Sequence, residues 1–100
     1  MNRRRALRAC REVLAAGHAP FAPHLLYTAI LNDNIESERA QGIGAGHAWI
    51  DVCHELWVWG FDVYEQVQSA GMCQDIARAQ RVTVPVFYQG VPEWWNSPHP

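Results

Sequence analysis

Asp75 stands in the stretch best suited to chemistry, SAGMCQDIARA at residues 69–79. A polar turn around Gly71 runs into a helix, and the pattern puts Asp75 in that helix's first turn. Directly before it, ELWVWG at 55–60 reads as a buried strand. Strand, loop, glycine turn and helix in that order place Asp75 at the carboxyl edge of a sheet, where open α/β sheets bind ligands. A helix start there also offers unpaired N–H groups and a positive dipole end to an anion. His24 follows an earlier extended segment, Glu38 and Arg39 open the second helix, and Ser69, Gly71, Met72 and Asp75 follow the strand at 55–60. In a parallel sheet, loops that follow strands share one edge, so these groups can converge. A carboxylate, an imidazole, a guanidinium and helix-end amides suit a sugar or a phosphorylated sugar. Taken alone, Asp75 has a simpler explanation, as an acid that complements the helix dipole.

Other chemistries fit the residue spacing poorly. His18 and His24 lie six apart, and Cys53 and His54 are adjacent, so neither pair has zinc-ligand spacing. No metal and no cofactor are expected. Cys53 and Cys73 sit among apolar neighbours, which favours inert thiols over nucleophiles. Gly42, Gly44 and Gly46 spell GIGAG inside a helical stretch rather than between a strand and a helix start. That argues for close packing of helix on sheet and against a phosphate loop.

One hundred residues make one domain, and 49% apolar content is enough for a core. No apolar run has the length of a membrane span, and no apolar segment of a secretory signal follows the N-terminal arginines. Three cysteines without paired spacing point to reduced thiols in a cytoplasm. A net charge of −2 speaks against a general nucleic-acid binder. All eight basic residues are arginines, five of them within the first eleven positions. They read as the solvated face of a first helix, with a phosphate-binding patch as the rival reading.

These groups need elements to position them. Residues 2–16 have helical spacing, with Ala6, Leu7, Cys10, Val13 and Leu14 on one stripe and Gly17 as the C-cap. Residues 18–22, HAPFA, read as a short strand, and 23–31 as a short helical turn. Asn32, Asp33 and Asn34 form a turn that caps a helix over 35–54, with Glu36 and Glu38 in its first turn. The strand at 55–60 follows and is expected to be central in the sheet, flanked by 82–88 and by 18–22 or separated from 18–22 by a gap, with Trp57 and Trp59 on one face and Val58 on the other. A helix over 71–80 and a last strand over 82–88 complete the alternation, with Pro85 marking an edge or a bulge. Alternation of helix and strand predicts a parallel sheet covered by helices. The tail, residues 91–100, is rich in proline and carries Trp94 and Trp95, which should cover a surface of their own domain or of a second copy.

The blocks GHAPFAPHLLYTAILNDNIESERAQGIGAG, CHELWVWG and SAGMCQDIARAQRVTVPVFY together resemble the nucleoside 2-deoxyribosyltransferase-like superfamily, over residues 2 to 88. Within it, the chain looks like a small branch of uncharacterised domains from phages and bacteria. The resemblance implies a flavodoxin-like α/β sandwich over residues 1–90. It also implies cleavage or transfer at the N-glycosidic bond of a 2-deoxynucleoside or its monophosphate. A glutamate of the family's S-x-G block attacks the anomeric carbon, and water or a second base completes the reaction. That position is Asp75 here, one methylene shorter. His24, Arg39, Ser69, Gly71 and Met72 would line the substrate. The aspartate that usually precedes E-L-W is His54. The family's first strand has no counterpart, so the start lies upstream, another chain fills the gap, or the sheet closes differently. The alternatives to an enzyme are a module that binds a nucleotide without turnover, for example in phage–host conflict, and a structural protein that keeps the fold. A homodimer or larger assembly is expected, with Trp94, Trp95 or residues 55–67 in the contact.

Overall fold

The computed structural model describes residues 3–60 and 70–97. Helix α1 is Arg3–Ala15, α2 is Pro23–Ile30 and α3 is Glu36–Ile50; strand β1 is Leu56–Trp59, α4 is Ala70–Arg81 and β2 is Val86–Gly90, and a short 3-10 helix, Glu93–Asn96, closes the chain. The result is a mixed α/β fold with a small parallel sheet among the described residues.

Glycine ends α1 as its sequence suggests. Gly17 has φ +88°, its N–H donates to the Leu14 carbonyl, and the His18 N–H donates to the Val13 carbonyl. Those two bonds make a Schellman motif, which needs a left-handed residue at the turn. The buried face of α1 differs from the expected stripe. Ala6 and Ala9 are buried, whereas Leu7 and Leu14 are exposed. The small alanines let the helix approach its neighbours, and the leucines are left outside.

Residues 18–22 form no strand. Pro20 has no N–H to give a ladder, and Pro23 already begins α2. The segment runs irregularly from Gly17 to α2 instead. Before α3, the Asn34 N–H donates to Asn32 Oδ1 at 2.9 Å, and the Asn32 N–H donates to Glu38 Oε1 at 3.3 Å. The helix stops at Ile50, short of the expected 54. The Val52 N–H turns back to the Trp49 carbonyl, an i to i+3 closure that tightens a last turn. The α3 glycines serve close packing, but of helix on helix. A Cβ at Gly42 would stand 3.4 Å from Leu31 Cδ1, and one at Gly46 would stand 3.3 Å from Pro23 Cβ.

Strands β1 and β2 pair in parallel through the α4 crossover, with Leu56 opposite Val86 and Val58 opposite Tyr88. Trp59 pairs with Gly90, so Gln89 is bulged out and Gly90 takes φ +69°. The second strand starts later than its β-branched residues suggest because α4 ends in another Schellman turn. Thr83 takes φ +61°, its N–H reaches the Gln80 carbonyl, and the Val84 N–H reaches the Ala79 carbonyl. Pro85 therefore precedes the strand and accepts the Leu56 N–H at 2.9 Å. Among the described residues β1 pairs with β2 alone, and residues 18–22 do not flank its other side. Its faces are as expected: Val58 is buried, and Trp57 and Trp59 lie together with ring centroids 6.4 Å apart.

Among the described residues the buried apolar side chains are Ala6, Ala9, Ile50, Val58, Ile76 and Ala79, half of them alanines. A second cluster forms where the tail returns. Trp94 meets Trp59 at 5.5 Å between ring centroids, and Trp95 lies against Gly60. The α1 arginines hold this tail. Arg5 Nε and Arg4 Nη2 both donate to the Trp95 carbonyl, at 2.8 and 3.1 Å, and the Arg5 guanidinium stacks 4.4 Å from the Trp95 ring centre. Arg4 and Arg5 are thus neither a solvated face nor a free phosphate patch. Among the described residues, no helix is long and apolar enough to cross a membrane.

Candidate functional site

A cleft of about 1000 Å³ opens between α1, the irregular segment after it, α2, α3, β1 and the start of α4. Its size suits a small organic ligand. His24, Arg39, Gly71, Met72 and Asp75 all border it, drawn from three separate helices. Ser69 lies outside the described residues, as does most of the expected contact region 55–67 beyond Gly60.

Each side chain reaches the cleft for a local reason. His24 is the second residue of α2, fixed by the proline that starts the helix. Burial pushes its imidazole below the ordinary value; the charge of Arg3 adds to that and Asp33 opposes it. A neutral imidazole can accept or donate one hydrogen bond at neutral pH. Arg39 lies in the first turn of α3, and among the described residues its guanidinium has no ion-pair partner. Gly71 and Met72 are the second and third residues of α4.

Asp75 is the sixth residue of α4, so it lies beyond the first turn where the sequence pattern puts it. The helix-dipole explanation of this acid falls away, since that effect fades past the first turn. Its side chain is 49% exposed and lies 3.2 Å from Nε2 of His47, which is 23% exposed. The pair is within ion-pair distance but is not aligned for a hydrogen bond, and among the described residues the buried Nε2 has no other partner. Partial burial pushes the Asp75 carboxyl above the ordinary carboxylate range, and the neighbouring His47 opposes that shift.

The walls of the cleft are aromatic. Trp49 donates its indole N–H to the Tyr27 hydroxyl at 2.9 Å and lies against Phe21, ring centroids 4.4 Å apart. Across from them, His18 meets Trp57 edge-on at 5.5 Å. Flat rings of this kind give a planar heterocycle surfaces to stack on. Cys10 and Cys53 also border the cleft, and burial raises both thiols, which lowers their nucleophilicity. Among the described residues, no group of three metal-binding side chains is assembled. His54 borders the cleft too.

Sequence reasoning missed His47 and the aromatic walls. His47 has no motif around it, and its meeting with Asp75 depends on how α3 packs on α4. The aromatics are scattered from residue 21 to residue 59, and only the fold brings them to one cavity.

Residues 1–89 match the family described as a domain of unknown function (DUF7768), and the chain belongs to that family. No curated protein matches the chain, and no solved structure does.

Proposed function

We propose that this DUF7768 member binds a 2-deoxynucleoside or its monophosphate in the cleft and cleaves or transfers at the N-glycosidic bond. The observation that carries the reading is the gathering of Asp75, His24 and Arg39 in one aromatic-walled cleft. In this scheme the Asp75 carboxylate attacks the anomeric carbon. The bond to the base breaks, and the departing nitrogen takes up the electron pair and a proton. Water or a second base then displaces Asp75 from the sugar. Arg39 pairs with the phosphate, His24 hydrogen-bonds the sugar, Gly71 and Met72 border them, and the rings stack on the base. Ser69 is assigned to the phosphate by its place in the S-x-G block. The βαβ unit from β1 to β2 supports a flavodoxin-like arrangement for the domain.

Incubation with the four deoxynucleosides and their monophosphates, followed by chromatography, tests the reading. Free base should accumulate with at least one of them; none with any would overturn it.

One observation favours a second reading, a module that holds a nucleotide without turnover. Asp75 is one methylene shorter than the glutamate of the S-x-G block, and a nucleophile displaced by roughly 1 Å loses about 100-fold in rate. Calorimetry would then register binding without release of base. The three free cysteines fit a reducing cytoplasm, and the exposed apolar side chains support association into a homodimer or larger assembly.

A further inference from the structure

We propose that His47 is the positioning residue for Asp75, holding the carboxylate from behind so that its other oxygen faces the cleft. This rests on the reading of Asp75 as the nucleophile. The two side chains come from different helices, α3 and α4, and meet at 3.2 Å through Nε2 and Oδ1. Asp75 borders the cleft and His47 does not. His47 instead borders a separate hollow of about 260 Å³, with Gln74, Ala77, Arg78 and Arg81. It can reach the reaction only through Asp75.

Two carboxylates, Asp75 and Asp51, feel the charge of His47. From α4 it faces Arg78 and Arg81, which are cations; at the end of its own helix stands Asp51. Asp51 is already held by Arg78 through two bonds of 2.7 and 2.6 Å. Asp75 is therefore the acid available to the buried Nε2, which otherwise lacks a partner among the described residues. A buried imidazole nitrogen without a partner is costly, and a small turn of the carboxylate supplies one. A protonated His47 also favours the ionised form of Asp75 against the burial that disfavours it.

Carboxyl-carbon NMR can follow the titration of Asp75 in the wild type, in His47→Gln and in His47→Ala, with thermal melts alongside. Glutamine keeps a donor and removes the charge; alanine removes both. The Asp75 midpoint should move upward by roughly one pH unit in His47→Ala and by less in His47→Gln. An unchanged midpoint in both variants overturns the proposal, and so does a lower melting temperature without any movement of the midpoint. The acid limb of base release should move in the same direction as the midpoint. A wild type that releases no base would overturn the functional reading, while the titration would still decide the role of His47.

Discussion

Asp75 was legible in the sequence as a candidate but not in its setting. The S-x-G spacing pointed to it, yet Asp75 lies past the first turn of α4 and its partner is His47. No local pattern carries that pairing, because it is made by two helices that meet only in the fold. Burial raises the Asp75 carboxyl above its ordinary value of 3.8, and the consequences for stability and turnover have opposite signs. An acid whose folded value is raised binds its proton more readily in the folded chain. Its contribution to stability is present below 3.8 and is lost as pH rises through the folded value. Turnover needs the carboxylate, so base release should rise over that same window. Melts against pH should show the wild type losing stability there relative to Asp75→Asn, and the rate profile should show an acid limb above the ordinary carboxylate range. Asp75→Glu should keep or raise turnover, because it restores the longer reach of the resembled family. A limb at or below 3.8 would count against the account.

The bounds of α1 and α4 could be read from sequence to within a residue, whereas α3 has no apolar stripe and ends four residues before the expected 54. The errors fall where tertiary structure decides. HAPFA has strand-like length, but Pro20 withholds an N–H group and Pro23 already opens α2, and it forms no strand. VTVPVFY is rich in β-branched residues, yet Thr83 is drawn into a left-handed helix stop and the strand begins at Val86. The arginine face of α1 looked solvated, whereas Arg4 and Arg5 bind the carbonyl of Trp95, some ninety residues away. That clamp gives a prediction. Gly60 has φ +79°, and a Cβ there would lie 2.8 Å from Trp95 Cη2. Gly60→Ala should therefore cost about 2 kcal/mol, from a left-handed backbone and an overpacked ring together. Chemical denaturation followed by tryptophan fluorescence would measure it, and a loss under roughly 0.5 kcal/mol would mean that the tail is not held as described.

At the scale of the molecule, half of the buried apolar side chains among the described residues are alanines, which bury little area each. Large apolar side chains remain outside: Leu14 is 60% exposed, Ile30 64% and Val52 71%. Trp94 and Trp95 are partly covered by their own chain, so the exposed leucine, isoleucine and valine side chains are the ones left to associate. Light scattering at micromolar concentration should give at least a dimer, and a clean monomer would contradict this. The cleft gathers His24 from α2, Arg39 from α3 and Asp75 from α4. The measurement that tests the central claim most directly is base release from deoxynucleosides and their monophosphates by wild type and Asp75→Asn side by side, with calorimetry on both. The account predicts free base from the wild type, none from Asp75→Asn, and ligand binding by both. Base release that survives in Asp75→Asn, or none from either protein, would contradict it.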